Sequence, residues 1–253
     1  MDKMQKQWDE LGKNEAYYAV LTYDKFKADN LTDNVREDFF KTGEEHVGKL
    51  WEEIETNFVK DFRPRRSLDF GCGVGRLVVS LSSRSDEVVG VDISRQMLEE
   101  SERNCESRGL DNTKFVQTDE LLANKNEFDF IHSFIVFQHI KPKIGEDILR
   151  KLLADLAVDG IGALHFTYLD HSPTFQNLRS KIYRDIPFAN TLKDLLKGGR
   201  TEPLIRIYSY DLDRIFAILQ ENNCHKCLVR FTDHGLKGAF IIFQKTADLR
   251  YQF

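Results

Sequence analysis

The sequence predicts an α/β fold: a mostly parallel sheet with helices on both faces, an antiparallel hairpin at its last edge and a helical cap at the N-terminus. Three observations carry this. From Ser67 onward, short apolar runs alternate with helical stretches, as in a parallel sheet joined by crossover helices. Ahead of that point the chain has helical periodicity alone. Near the end, two strand-like runs are joined by a short connection containing Gly235, which suits an antiparallel hairpin.

The elements follow in order. Asp2 to Leu11 is short and polar, with Trp8 and Leu11 on one face, and Glu15 to Phe26 carries Tyr17, Tyr18, Val20, Leu21 and Phe26. Thr42 to Phe58 is the clearest helix. Val47, Leu50, Trp51, Ile54 and Phe58 recur at helical spacing, and Glu44, Glu45, Lys49, Glu52 and Glu53 take the other side. Arg63-Pro64-Arg65-Arg66 stops it, because proline has no amide proton and restricts its predecessor. Strands are then expected at Ser67–Phe70, Val88–Val91, Thr113–Gln117, Phe128–Phe134 and Ile161–Tyr168. Helices are expected at Gly75–Ser83, at Ser94–Arg108 with Ser94 as N-cap, and at Ile144–Leu156, ending at Asp159-Gly160. Tyr210–Glu221 reads as a helix, and Lys226–Thr232 and Gly238–Gln244 as paired strands. The expected organisation is a cap or lid over residues 1–62, one ligand-binding domain over 63–245 with a helical insertion at 171–200, and a tail at 246–253.

Composition narrows the class. The chain has 253 residues, 41% hydrophobic and 11% aromatic, enough for a sizeable core. Thirty-six Lys and Arg against 41 Asp and Glu leave a net charge of −5, which argues against a main task of gripping phosphate backbones. No run approaches the roughly 18 apolar residues of a membrane helix, and the first residues lack an apolar signal region. Cys72, Cys105, Cys224 and Cys227 are too scattered for a disulfide scaffold. Reduced thiols in a cytoplasmic protein are expected.

Leu68-Asp69-Phe70-Gly71-Cys72-Gly73-Val74-Gly75-Arg76 joins a strand to a helix. Glycines permit positive φ and let a ligand lie against the backbone, and ligands of open α/β sheets bind at the carboxyl ends of strands. A dinucleotide fingerprint would need glycine at position 76, where Arg76 stands, and the P-loop pattern is absent. Asp92 closes the next strand; it either accepts hydrogen bonds from ribose hydroxyls or serves the helix after it. Asp119 follows the third strand, as a partner for an adenine amino group or as a solvated turn residue.

In combination these runs resemble the class I S-adenosylmethionine-dependent methyltransferases of small-molecule type, over roughly residues 40–245. The matching segments are Leu68 to Arg76, Val88 to Ile93, Phe115 to Asp119, Phe128 to Phe134 and Gly160 to Tyr168, with the last hairpin. The resemblance implies a Rossmann-like seven-stranded sheet with its last strand inserted antiparallel, and S-adenosyl-L-methionine as cofactor. It implies that Asp69, Gly71, Cys72 and Gly73 line the methionine part, Asp92 holds the ribose, and Ile93 and Met97 pack on adenine. Asp119 would meet the adenine amino group near the Glu120 backbone, and Ser133 and Phe134 would end the fourth strand under the sulfonium. Thr42 and Gly43 resemble a Ser/Thr-Gly approach near the methionine carboxylate. Arg76 would assist there or anchor its own helix.

Methyl transfer needs alignment of the acceptor and exclusion of water, with a base only where the acceptor arrives protonated. His139, just beyond the fourth strand, is the candidate base, either catalytic or bonded to backbone as a structural residue. It resembles the histidine after this strand in phosphoethanolamine-type methyltransferases, and that resemblance implies that Tyr18, or Tyr17, meets it from the lid. His165 is expected within the fifth strand, and His171 and His234 flank the expected substrate mouth and would shape it. Phe175, Tyr183, Ile186 and Phe188 are either apolar walls of the acceptor pocket or plain core. Cys224-His225-Lys226-Cys227 lacks the second ligand pair of a structural zinc site, so no metal is expected. The expected reaction is methylation of an oxygen or nitrogen of a small molecule, with no nucleic-acid or membrane partner. A protein or RNA methyltransferase and a non-catalytic cofactor-binding scaffold are the alternatives.

Overall fold

The computed structural model describes residues 2–169 and 206–247. His171, Phe175, Tyr183, Ile186, Phe188, the rest of the 171–200 insertion and most of the 246–253 tail lie outside the described residues.

Helix α1 (Asp2–Asn14), α2 (Ala16–Val20) and two 3-10 turns (Asp24–Phe26 and Ala28–Asn30) precede the long α3 (Asp33–Asn57). The core then runs β1 (Arg66–Phe70), α4 (Arg76–Ser82), β2 (Glu87–Asp92), α5 (Arg95–Glu106), β3 (Thr113–Gln117), α6 (Thr118–Ala123), β4 (Phe128–Ser133), α7 (Pro142–Asp155) and β5 (Leu156–Leu169). It closes with α8 (Leu212–Glu221), β6 (Lys226–Asp233) and β7 (Lys237–Gln244). The seven strands lie in the order β3-β2-β1-β4-β5-β7-β6. All pairs from β3 to β5 are parallel, and β7 runs antiparallel to both β5 and β6. The expected α/β sheet with its antiparallel end is therefore the one observed.

Strand alternation gives the sheet two buried faces. Val47, Leu50, Trp51 and Ile54 of α3 pack with Leu77, Val78 and Leu81 of α4 and Leu98 and Cys105 of α5 against Val88, Phe130 and Phe240. Opposite them, Ile148, Leu149, Leu152 and Leu153 of α7 join Ile215, Ile218 and Leu219 of α8 against Leu68, Val89, Ile131 and Phe166. A smaller cluster of Leu11, Tyr17, Phe26, Phe39, Phe40, Val74 and Met97 binds the N-terminal helices to the top of the sheet. The Arg63-Pro64-Arg65-Arg66 stop is tied down: the amides of Arg65 and Arg66 both donate to Asp129 Oδ2 at 3.0 Å, and Arg66 Nε meets Glu87 Oε1 at 2.6 Å.

Several boundaries differ from expectation. Helix α3 begins nine residues before Thr42, with Thr32 Oγ1 accepting from the Val35 amide at 3.4 Å. The earlier start carries Phe39 and Phe40 into the cap cluster. The expected helix at Glu15–Phe26 ends at Val20, since Leu21 is extended (φ −133°), and the following turn brings Phe26 edge-on to Phe39 at 5.2 Å. Helix α7 stops at Asp155 rather than at Asp159-Gly160, and β5 starts directly at Leu156, paired with Phe128. Lys245 explains this. Its ammonium caps the end of the helix by donating to the carbonyls of Leu153 and Leu156 at 2.7 and 2.8 Å, and its backbone pairs with Asp159 and Gly160. The short α6 was not expected. Among the described residues no helix is long and apolar enough to cross a membrane.

Two glycines of α3 provide an internal comparison. A Cβ at Gly43 would lie 2.3 Å from the Arg76 carbonyl oxygen, whereas a Cβ at Gly48 would meet nothing within 4 Å. The close approach of α3 and α4 therefore requires Gly43. Gly48→Ala is expected to stabilise the fold by about 0.5–1 kcal/mol through helix propensity. Gly43→Ala is expected to destabilise it by roughly 1–3 kcal/mol through the backbone clash. Urea denaturation of the two variants measures both signs.

Candidate functional site

Strand β1 runs into a loop whose Gly71, Gly73 and Gly75 all have positive φ (79°, 54° and 82°), a region that costs other residues steric strain. The loop folds back on β2. The amides of Gly71 and Cys72 both donate to the Val91 carbonyl, at 2.7 and 2.9 Å. Asp92, at the end of β2, completes the tie. Its Oδ2 accepts from the Gly73 amide at 3.0 Å and its Oδ1 from the Ser94 amide at 2.9 Å. Burial raises its pKa to about 6, against the opposing pull of those amides. The loop is also roofed. A Cβ at Gly71 would lie 2.3 Å from Val136 Cγ2, and one at Gly73 2.7 Å from Val20 Cγ2.

Below the loop lies a buried polar group. Arg76, in the first turn of α4, is 7% exposed. Its Nη1 donates to Thr42 Oγ1 of α3 at 3.3 Å, while its buried Nε has no partner among the described residues. Burial lowers its pKa to about 10, with the Asp69 carboxylate acting in the opposite sense. Asp69 and His132 are register partners on β1 and β4, so their side chains share a sheet face. Asp69 Oδ1 lies 2.9 Å from His132 Nδ1, and His132 Nε2 lies 3.1 Å from Nε2 of His46 on α3. The His46 ring lies 4.5 Å from that of Phe134, the residue just after β4, tilted by 54°, and Phe134 also meets His165 at 5.1 Å. Ser133 donates its hydroxyl across the strands to the Phe70 carbonyl at 2.8 Å.

Around this centre the other expected residues take varied places. Ser94 caps α5, its hydroxyl accepting from the Met97 amide and donating to Asp9 Oδ1 of α1 at 2.8 Å. Met97 is buried beneath the cap, and Ile93 is half-buried. Cys72 is buried, its thiol pushed well up by burial. Asp119 and Glu120 are exposed in the first turn of α6, where Asp119 Oδ1 accepts from the Glu120 amide at 3.0 Å. His139 has both ring nitrogens engaged: Nε2 lies 3.2 Å from the Gln138 amide nitrogen and Nδ1 3.4 Å from the Arg206 carbonyl. Burial lowers its pKa to about 4. The ring set against it is Trp8, at 5.3 Å; Tyr18 lies instead under the Lys27 ammonium at 5.1 Å. Tyr17 is buried, its hydroxyl donating between Glu100 Oε1 at 2.8 Å and Asn104 Oδ1 at 2.9 Å.

His46, His132, Trp8, Val20 and Val136 were not among the expected site residues. A signal existed for two of them. His46 stands four residues after Thr42, on the same face of α3. His132 is the polar member of the buried Phe128, Phe130, His132 alternation of β4.

The methyltransferase domain family profile matches residues 68–160. The chain is 30% identical over 96 residues to the ubiquinone biosynthesis O-methyltransferase of Pelagibacter ubique, covering 34% of this chain and 40% of that protein. It is 37% identical over 101 residues to the cyclopropane-fatty-acyl-phospholipid synthase of Escherichia coli K12, covering 40% of this chain and 25% of that protein. The chain thus spans less than half the length of these relatives. Among solved structures, the magnesium protoporphyrin IX methyltransferase of Synechocystis PCC 6803 with bound S-adenosylhomocysteine has a similar fold. Its TM-score is 0.63 at 18% identity, with 97% of this chain and 99% of that chain covered. Residues 68–160 thus match the methyltransferase domain family, and the sheet that carries them has the fold of this S-adenosylhomocysteine-bound neighbour.

Proposed function

We propose that the chain transfers a methyl group from S-adenosyl-L-methionine to an oxygen or nitrogen of a small-molecule acceptor. The observation that carries this reading is Arg76. A guanidinium buried to this degree with an unpartnered Nε is costly, and a carboxylate is the group that suits it best. The methionine end of the cofactor supplies one, beside Thr42 and the glycine loop. Gly43 lets α3 approach closely enough for Thr42 to serve there. Gly71, Cys72 and Gly73 offer backbone to the methionine part, near Asp69. Asp92 receives the ribose hydroxyls, Ile93 and Met97 face adenine, and Asp119 with the Glu120 backbone takes its amino group. Ser133 and Phe134 underlie the transfer site.

The cofactor supplies a methyl group activated on a sulfonium; the chain aligns the acceptor and excludes water. Val20, Val136 and Trp8 provide that cover. His139, with both ring nitrogens engaged, belongs to the wall of the acceptor side, and Tyr18 to the lid. A small acceptor is favoured over nucleic acid by charge. Arg65, Arg66, Arg103, Arg108, Arg214 and Arg230 are each paired with a carboxylate, which leaves them poor partners for phosphates. Three buried thiols and one exposed thiol, all unpaired, fit a reducing, cytoplasmic setting.

Incubation of a small-molecule cell extract with methyl-labelled cofactor, followed by mass spectrometry of the product, tests the reading. Label on a metabolite supports it; label only on protein or RNA overturns the acceptor class. Arg76→Met is expected to weaken S-adenosylhomocysteine binding by roughly 10- to 100-fold, the loss of about 1.5–3 kcal/mol for a charge-assisted hydrogen bond, and titration calorimetry reads it.

The Asp92 pKa sets a pH dependence. Its ionised form accepts the ribose hydroxyls, so binding is level above pH 6 and weakens as pH falls through that value. At pH 5 the dissociation constant should be about tenfold larger than at pH 7. Asp92→Asn should abolish most of this slope, which calorimetry at several pH values would show.

A further inference from the structure

We propose that His46 is the base for methyl transfer, and that His132 and Asp69 behind it form the relay that receives the acceptor's proton. The proposal rests on the methyltransferase reading above and adds to it the residue and the route of the proton.

Hydrogen-bond arithmetic fixes the tautomers. Asp69 is acceptor-only as a carboxylate, so His132 carries a proton on Nδ1 and donates it at 2.9 Å. A neutral His132 then has its lone pair on Nε2. The nitrogen 3.1 Å away, His46 Nε2, must therefore be the donor. His46 is left with a lone pair on Nδ1, which has no partner among the described residues. His46 is half-buried and lies against Phe134 at 4.5 Å, at the carboxyl end of β4 where ligands of such sheets bind.

The charged and titratable groups facing His46 are His132, Arg76, Arg230 and His165. Together with burial, which is the largest cause, they hold its pKa down to about 2. A proton left on His46 would be poorly held, and the relay answers this. As the acceptor's O–H or N–H bond breaks, an N–H bond forms at His46 Nδ1. The proton on His46 Nε2 passes to His132 Nε2. The positive charge comes to rest on His132, directly beside the Asp69 carboxylate, and His46 returns to neutrality as the other tautomer. The acceptor's electron pair forms the new bond to the methyl carbon, and the sulfur keeps the pair of the broken bond.

A purely mechanical tie between α3 and the sheet does not need this chain. Val47, Leu50, Trp51 and Ile54 already bury α3 on the same face, and inserting two imidazoles and a carboxylate there carries a desolvation cost. His139 is not an alternative base, because neither of its nitrogens is free.

Two measurements on the full chain decide the matter. Long-range proton–nitrogen NMR of histidine-labelled protein at pH 7, with and without S-adenosylhomocysteine, reads the tautomers, assigned through His46→Gln and His132→Gln. Protonated Nδ1 on His132 and protonated Nε2 on His46 are expected; a His46 protonated on Nδ1 overturns the relay. In the second, His46→Gln should lower labelled-methyl transfer to the extract by about 10²–10⁴ while S-adenosylhomocysteine affinity stays within about twofold. Transfer within threefold of the wild type would refute the base. Absence of S-adenosylhomocysteine binding by the wild type would defeat the parent reading instead, and the tautomers of the free protein still judge the relay.

Discussion

The Asp92 carboxylate is the tie on which the upper end of the sheet depends. One oxygen takes the Gly73 amide and the other the Ser94 amide, so a single side chain joins the β1 loop, the end of β2 and the start of α5. The loop is left-handed at three glycines and has little local preference for its shape. What holds it is this carboxylate and the Val91 carbonyl, which takes two successive loop amides. The arrangement leaves Asp92 partly desolvated and raises its pKa, a cost met at a position built to receive hydrogen-bond donors.

Around that tie the polar groups separate into two sets. Arg76 and Thr42 form one, with a guanidinium still short of a partner. Asp69, His132 and His46 form the other, with each donor matched to an acceptor up to the last nitrogen. Both converge on the face of the sheet under α3. This is why the long helix is more than a cover: Thr42, Gly43 and His46 project from one of its faces toward the loop and β4. The N-terminal helices close the top through Asp9 on Ser94, Trp8 on His139 and Val20 on Gly73.

Much of this was legible in the chain as written. The alternation of apolar runs with amphipathic helices is a local property, and it located all seven strands and the antiparallel hairpin. The glycine loop and Asp92 were legible because their chemistry is concentrated in a few adjacent residues. Other parts were not. Lys245 ends α7 from 90 positions away along the chain, so no local pattern could have set that boundary. His139 stands where a base would be useful, but only the folded chain shows Gln138 and the Arg206 carbonyl occupying its ring. Trp8 of α1 and Tyr18 of α2 both belong to the N-terminal cap, and which of them meets His139 depends on how α1 lies on α5.

By itself, then, the sequence determined the fold class, the acid at the end of β2 and the glycine turn, because periodicity and φ preference act between near neighbours. The tertiary structure alone decided the partners of buried polar groups. Asp69 and His132 meet through the β1–β4 register, and Thr42 and Arg76 through the approach of α3 to α4 at Gly43. Those encounters depend on distances between segments far apart in the chain, and hydrogen bonds discriminate such distances to a few tenths of an ångström.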